Sequence, residues 1–284
     1  MPTILSCTDG SIYARSVYDH TAWAALRLNA AVHVLHILEP HRDVAAMADL
    51  SGAIGMDAQA KLTEELVALE ETTARVAQTH ARAILADAKQ HLTAAGVARV
   101  DVEATHGELI DSIERFETGA DLIVVGKRGE HADFAKLHLG GNLQRVIRSA
   151  HHPVLVASRA FVPIGRFLVA YDGSPSVLKA VDFVLRSPLL KGLHCHILRA
   201  GKIDDKARYY LEETAGTLRS AGFEVTSQAS AGPVEDVIAA AVKEHHINLL
   251  VMGAYGHSRI REFILGSTTT TMVRTCLVPV LMFR

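Results

Sequence analysis

The 284 residues are too many for one small domain and fit two domains of ordinary size. The 29 basic side chains nearly balance the 31 acidic ones, giving a formal net charge of −2. This balance argues against a dedicated nucleic-acid-binding protein and against an electrostatic membrane anchor. Hydrophobic residues make up 49% of the chain, enough for sizeable cores, but no segment has the ~18 uninterrupted apolar residues of a membrane helix.

The cysteines and the N-terminus indicate the cellular compartment. Cys7, Cys195 and Cys276 lie far apart without metal-binding spacing, which favours free thiols in a reducing environment. Residues 1–11 contain neither a basic stretch nor a long apolar run, so we expect no secretory signal peptide. Together these features predict a cytoplasmic protein.

Short apolar runs alternate with helical patterns through the first half of the chain. Strands are predicted at residues 3–8, 32–38, 97–104, 121–126 and 152–156, and helices at 16–29, 58–95, 108–118 and from about 142 to 149. Residues 42–57 lack periodicity and are interpreted as a loop or lid. The helix over 58–95 is unusually long; packing on a sheet, covering a site and mediating assembly are all open roles for it.

The pattern then restarts after a short linker at residues 158–165. Three segments recur in the same order: Asp172-Gly173-Ser174 repeats Asp9-Gly10-Ser11, His196-Ile197-Leu198 repeats His36-Ile37-Leu38, and Asn248–Gly253 repeats Asp121–Gly126. Such in-order similarity indicates a duplicated domain. Within each copy, alternating strands and helices predict an α/β fold with a parallel sheet and helices on both faces.

The second copy contains a pattern suited to binding phosphate. The apolar run Leu249–Met252 predicts a buried strand, and the spacing Gly253-x2-Gly256-x9-Gly266-Ser267-Thr268 follows it, with a helix predicted from Thr269. Glycines allow a close backbone approach, free N–H groups at a helix start favour an anion, and the two hydroxyl groups add donors. The alternative is that the glycines only form turns and Ser267 only caps the helix.

This spacing resembles the ATP-binding signature of the universal stress proteins, and the chain as a whole resembles a tandem member of that family. Thr8–Ser11, Leu35–Ile37 and Asp121–Gly126 support the resemblance by their order and repetition. The resemblance implies two domains, residues 1–158 and 163–284. Each would be a five-stranded parallel open sheet with helices on both faces, Rossmann-like and similar to the adenine nucleotide alpha hydrolases.

The resemblance also implies site residues. In ATP-binding members an acid after the first strand and a residue at the end of the second strand hold the adenosine. The expected contacts are Asp172, Ile197, Gly253, Gly256, Gly266, Ser267 and Thr268, with a weaker set of Asp9, Ile37, Gly126, Gly129 and Gly140. For the two aspartates the alternative is a turn or cap, and for Ile197 it is core packing.

The first copy has a degenerate phosphate loop. It reads Gly126-x2-Gly129-x10-Gly140-Gly141-Asn142, with one extra residue and without the Ser-Thr pair. The nearby cations Lys127, Arg128 and Lys136 either replace the hydroxyl groups by charge or lie on a solvated loop. We therefore expect the second copy to be the main ATP site.

Other chemistries find little support in the sequence. The sixteen histidines, including His194 and His196, are not joined by Cys or acidic residues at metal-binding spacing. Neither a dinucleotide fingerprint, nor a P-loop, nor a Ser or Cys nucleophile motif is present. We expect a regulatory ATP-binding protein of the stress response, with Mg²⁺ on the phosphates. A slow ATPase or nucleotide hydrolase and a nucleotide-free interaction module are the alternatives.

The last strand of each copy predicts how the copies pack. Val154–Val156 and Val278–Met282 are apolar, and an exposed apolar edge strand must be covered. In the family this strand makes the dimer contact, so we expect the two copies to pair through it within one chain. Pro153 and Pro279 are expected to suit a sheet edge. Whether the whole chain also forms a homodimer is left open by the sequence, as is the surface that would mediate it.

Overall fold

The computed structural model describes residues 1–38, 56–127, 141–254 and 267–284, and of residues 56–63, 141–142 and 267–268 it describes the backbone alone. The first half contains strands β1 Thr3–Thr8, β2 Ala31–Leu38, β3 Val100–His106, β4 Leu122–Gly126 and β5 Val154–Ala157. Its helices are α1 Ala14–Leu28, α2 Met56–Ala94, α3 Leu109–Glu117 and α4 Gly141–Ser149. None of the helices within the described ranges is long and apolar enough to cross a membrane.

The second half repeats this order of elements. Its strands are β6 Arg166–Ala170, β7 His194–Ala200, β8 Val225–Ser230, β9 Leu249–Gly253 and β10 Val280–Phe283. Its helices are α5 Pro175–Arg186, α6 Asp205–Ser220, α7 Val234–Glu244 and α8 Ser267–Thr275, with a 3₁₀ turn at Pro188–Leu190.

All ten strands form one continuous sheet, in the order β3-β2-β1-β4-β5-β10-β9-β6-β7-β8. Strands are parallel within each half, and only β5 and β10 pair in an antiparallel manner. Two apolar cores cover the two faces: α1, α2, α5 and α6 pack on one, and α3, α4, α7 and α8 on the other. This architecture confirms the predicted α/β fold of two five-stranded parallel sheets with helices on both faces.

The two halves are joined through their last strands, as predicted. Leu281 pairs with Leu155, Val280 with Val156, and Met282 with Val154, and all six side chains are buried. The prolines differ from the expectation of a sheet edge, because β5 and β10 lie at the centre of the combined sheet. Pro153 and Pro279 each precede their strand, where the missing N–H is not needed and their carbonyl groups accept hydrogen bonds from Ile123 and Leu250.

Two predicted boundaries moved for identifiable reasons. The third strand begins at Val100 rather than Val97, because the Val97 N–H bonds the Leu92 carbonyl at the end of α2. The loop or lid predicted over 42–57 lies largely outside the described residues, and its last two residues already belong to α2.

The central strand pair generates a stability prediction. We expect Leu281→Ala to lower the free energy of unfolding by about 2–5 kcal/mol, since it removes methyl groups from a fully buried site. Because the sheet is continuous, both halves should lose stability in one chemical-denaturation transition. Leu277→Ala is the matched control, because Leu277 is 89% exposed and its truncation should have little effect. Equal effects of the two variants would contradict this account of the central pair.

Candidate functional site

The sheet brings two predicted site segments to the same edge. Strands β6 and β9 are hydrogen-bonded neighbours, with Ala170 opposite Met252. The Asp172-Gly173-Ser174 turn follows β6 directly, and Gly253 ends β9 at the start of the glycine loop. Ligands of open parallel sheets bind beyond the carboxyl ends of the strands, where neighbouring connections diverge. The two segments therefore lie at adjacent strand ends, as the shared crevice predicted from the sequence requires.

The two aspartates form the same local turn. The Ser174 N–H donates to Asp172 Oδ1 at 2.9 Å, and the Ser11 N–H donates to Asp9 Oδ1 at 3.0 Å. The intervening Gly173 has a φ of +74°, a left-handed conformation that glycine adopts without strain. In the second half Ser174 then caps α5 by accepting a hydrogen bond from Val177 N. The turn role that the sequence left open is thus present, and it fixes each carboxylate at the end of a strand.

Arg199 is a further charged residue at this edge, and sequence reasoning missed it. Its Nη1 donates to the Asp172 carbonyl oxygen, while its buried Nε has no hydrogen-bond partner among the described residues. The equivalent residue of the first half is His36, whose Nδ1 lies 2.9 Å from the Thr8 carbonyl oxygen. The second half therefore carries a permanent positive charge where the first carries an imidazole.

Strand register corrects one predicted equivalence. Two residues before Asp9, Cys7 lies opposite Leu35, and two residues before Asp172, Ala170 lies opposite Leu198. Matching the His-Ile-Leu triplets of the two halves was therefore wrong by three residues.

The consequence concerns the two predicted isoleucines. By register, Ile197 occupies the place of Val34, and Ile37 that of Ala200. Ile197 is completely buried in the core under α5 and α6, so core packing accounts for its position. Ile37 is partly buried on the opposite face of the sheet.

The two ends of the glycine loop are tied together in the second half. Thr269, in the first turn of α8, donates its hydroxyl to the Ala254 carbonyl oxygen at 3.1 Å. Its side chain is buried, and the sequence analysis did not single it out. The contact places the start of α8 beside the end of β9, so the backbone of Ser267 and Thr268 begins a helix at the candidate site. Gly256 and Gly266 lie outside the described residues.

Gly253 has a packing role that the motif did not reveal. A Cβ atom at this position would lie 2.3 Å from Ser176 Oγ and 3.1 Å from the backbone nitrogen of Val177. The end of β9 therefore touches the first turn of α5 directly. Only a glycine permits this approach, whatever further role residue 253 has toward a ligand.

The first half differs at its corresponding strand ends. Gly126 ends β4, whereas Gly129, Gly140, Arg128 and Lys136 lie outside the described residues. Lys127 Nζ donates to the Cys276 carbonyl oxygen, at the end of α8 in the other half. One of the three cations considered for phosphate binding is thus engaged between the halves.

Helix α2 also reaches the Asp9 turn. A Cβ atom on Gly10 would lie 2.4 Å from Ile84 of this helix, whereas one on Gly173 would meet, among the described residues, only the Tyr171 hydroxyl, at 4.0 Å. The turns share a conformation, but an apolar side chain of α2 packs against the first one. The two halves are therefore unequal at their aspartate turns as well as in their loop sequences.

The cysteines and histidines give no sign of metal or nucleophile chemistry in the described part of the chain. All three cysteines are buried, and burial raises the pKa of Cys7 and Cys195 to about 12. Within the described ranges no group of three or more His, Cys, Asp or Glu side chains could hold a metal ion. His196 instead stacks on His245 with ring centroids 4.1 Å apart and bonds Thr226 and Gln228.

The His196 environment generates a pH prediction. Burial, and then repulsion by His245, lowers the pKa of His196 from the ordinary 6.5 to about 4, while Glu244 opposes this shift and His194 adds to it. Between pH 4 and pH 6.5 the His196 side chain binds a proton more readily in the unfolded chain than in the folded protein. The free energy of unfolding should therefore decrease as the pH falls from 6.5 towards 4. At pH 5 the loss due to this group should be about 2 kcal/mol.

Urea unfolding of the parent and of His196→Gln at pH 7 and pH 5 measures this loss. The variant should show a smaller decrease in stability, because its side chain does not titrate. His106→Gln, at an exposed histidine, is the matched control and should behave as the parent does. A parent and His196→Gln with the same pH dependence would contradict the assignment.

The Gly253 contact generates a third prediction. Gly253→Ala should destabilise the protein by about 1–3 kcal/mol, because the new methyl group meets the backbone of α5. Gly216→Ala is the control, because Gly216 lies inside helix α6 and no atom of the described part of the chain lies within 4 Å of the added Cβ. The control should be neutral or stabilising by up to about 1 kcal/mol. Thermal unfolding of the two variants measures both effects, and a stable Gly253→Ala would exclude the tight contact.

Comparison with known proteins agrees with this architecture. The model of the universal stress protein family matches residues 1–158 and, a second time, residues 163–284. The universal stress protein Slr1230 of Synechocystis sp. is 40% identical over 287 residues, covering 100% of both chains. A universal stress protein from Archaeoglobus fulgidus has the same fold, with a TM-score of 0.71, 22% identity, and coverage of 99% of this chain and 98% of that one. This chain therefore belongs to the universal stress protein family, in a tandem form with two family domains.

Proposed function

We propose that this protein is a regulatory ATP-binding protein of the stress response, with the nucleotide held by the second domain, residues 163–284. The observation that carries the proposal is the adjacency of β6 and β9. Their carboxyl ends place the Asp172 turn beside the strand that begins the Gly253 loop. The hydrogen bond from the Thr269 hydroxyl to the Ala254 carbonyl oxygen holds the start of α8 beside the end of β9. An acid, a glycine loop and a helix N-terminus at one sheet edge suit a phosphorylated nucleoside.

Each part of the site suits one end of ATP. The Asp172 carboxylate accepts hydrogen bonds and repels phosphate, so it belongs at the adenosine end. At the phosphate end, Gly256 and Gly266 would let the backbone approach, and Ser267 and Thr268 would donate from the start of α8. Mg²⁺ would be carried on the phosphate groups. Gly253 would start this loop while packing against α5.

The differences between the two domains favour one main nucleotide site per chain. The first domain lacks the Ser-Thr pair in its loop, its Lys127 is engaged with Cys276, and Ile84 packs against its Gly10. Because β5 and β10 are antiparallel, the carboxyl edges of the two half-sheets face opposite ends of the molecule. A second nucleotide bound by the first domain would thus occupy a separate and weaker site.

A matched pair of glycine variants tests the proposal. Gly266→Val should weaken ATP binding at least about tenfold, because a side chain fills the space of the phosphate, whereas Gly140→Val in the first domain should leave the main site intact. Isothermal titration of the parent with ATP and Mg²⁺ should give one site per chain. Thermal unfolding must show that both variants fold.

Three results would contradict the proposal. They are absence of ATP binding by the folded parent at millimolar nucleotide, two sites of equal affinity, and an unaffected Gly266→Val. Phosphate release measured on the same samples addresses the ATPase alternative. A turnover of several per minute that is lost in Gly256→Val/Gly266→Val would assign the site to an enzyme instead.

A further inference from the structure

A long segment of helix α2, residues 64–80, lacks fully buried side chains. The last turns of the helix bury Ala81, Ile84, Leu85, Ala88 and Leu92 against the sheet and α1. By contrast, not one residue between 64 and 80 is buried. At 1.5 Å per residue this segment is about 25 Å long. No helix of comparable length exists in the described part of the second domain, where α6 occupies the equivalent place with 16 residues.

The segment 64–80 carries a regular apolar stripe. Leu66, Leu69, Thr73 and Val76 are separated by three, four and three residues, which is the spacing of a coiled-coil seam. We call these four residues the α2 stripe. Leu69 is 53% and Val76 is 64% exposed, although both are apolar. Leu66 and Thr73 are half-buried, so the exposed apolar surface of the stripe comes from Leu69 and Val76. Exposed apolar side chains one or two turns apart on a helix are typical of an interaction surface.

The exposed part of the α2 stripe lies to one side of the face that packs on the domain. Leu85 follows Val76 by nine residues, or about two and a half turns, and so lies on the opposite side of the helix. Leu85 is buried in the core, whereas Val76 is exposed. Leu66 and Thr73 precede Ile84 by 18 and 11 residues, so they lie in line with the packed face, and both are half-buried.

The charges along this segment are divided by sign. Residues 64–71 contain four glutamates and no basic side chain, whereas residues 75–82 contain Arg75, His80 and Arg82 and no acidic one. Two such segments placed side by side in parallel would align like charges. In an antiparallel arrangement the acidic end of each helix faces the basic end of the other, which is favourable. The segment is thus electrostatically complementary to an inverted copy of itself.

We propose that two copies of this chain associate through their α2 stripes in an antiparallel pair. The two-fold axis would cross α2 midway between Leu69 and Thr73, so that Leu66 of each copy lies opposite Val76 of the other and the same surface of each copy contacts the other. This inference is independent of nucleotide binding and names the homodimer surface that the sequence left open. A single pair of helices is a small interface, so the dimer should form at concentrations on the order of micromolar or above.

Sedimentation velocity of the full chain across the micromolar range tests the association. The double variant Leu69→Glu/Val76→Glu puts two charges seven residues apart in the α2 stripe. It should weaken the dimer at least about tenfold, because burial of both apolar side chains is lost. Val67→Glu/Ala74→Glu puts the same charges at the same separation on another side of the helix and should dimerise as the parent does.

A cysteine experiment tests the orientation. Leu66→Cys and Val76→Cys variants are mixed and treated with a mild oxidant, while the three native cysteines stay buried. An antiparallel pair should give mainly the mixed 66–76 disulfide, whereas a parallel pair would give 66–66 and 76–76 dimers and overturn the proposal.

Two further outcomes would overturn the proposal. One is a parent chain that stays monomeric across the whole micromolar range, which would mean that its own chain or another protein covers the α2 stripe. The other is a Leu69→Glu/Val76→Glu variant that dimerises as the parent does. Titration of this variant with ATP keeps the two proposals apart, because the nucleotide site lies in the other domain.

Discussion

The antiparallel pairing of β5 with β10 is the interaction on which the rest of the molecule depends. It joins two five-stranded parallel sheets into one sheet of ten strands and buries the apolar edge that each domain would otherwise expose. It also fixes the direction of each half. The strands within each half are parallel, and β5 runs antiparallel to β10, so all strands of one half run opposite to those of the other. The carboxyl ends of the strands, where ligands of such sheets bind, therefore lie at opposite ends of the molecule in the two halves.

The two domains differ in the residues that stand at their equivalent strand ends. The carboxyl end of β4 lies near the start of β10, and there Lys127 of the first domain meets the Cys276 carbonyl of the second. A cation beside a phosphate loop is thus used to hold the domains together. The second domain keeps the Ser-Thr pair and has Arg199 behind its aspartate turn, where the first has His36. The two halves therefore differ at equivalent strand ends, with a contact between the domains in the first and a Ser-Thr pair beyond the strand in the second.

Helix α2 is the largest departure from the symmetry of the repeat. It serves the first domain with its last turns only, where Ile84 packs against the Gly10 turn. The described residues 64–80 that precede these turns include none that is buried, and they carry both the α2 stripe and a division of charge. A helix that costs conformational entropy to form and contributes little to its own core is best accounted for by a partner, and the charges favour a second copy.

The sequence by itself determined the fold class, the duplication, and the order of strands and helices, because apolar periodicity and repeated motifs are local properties of the chain. The pairing of the last strands was expected from the resemblance to the universal stress proteins together with the apolar character of those strands. The sequence also placed Asp9 and Asp172 in turns next to glycine. Only the tertiary structure decided the equivalence of Ile197 with Val34, since register depends on hydrogen bonds between strands and not on matching letters. Arg199, Thr269 and the contact of Gly253 with α5 escaped sequence reasoning for a related reason. Each role arises between segments far apart in the chain, where composition and spacing carry no information about which side chains meet.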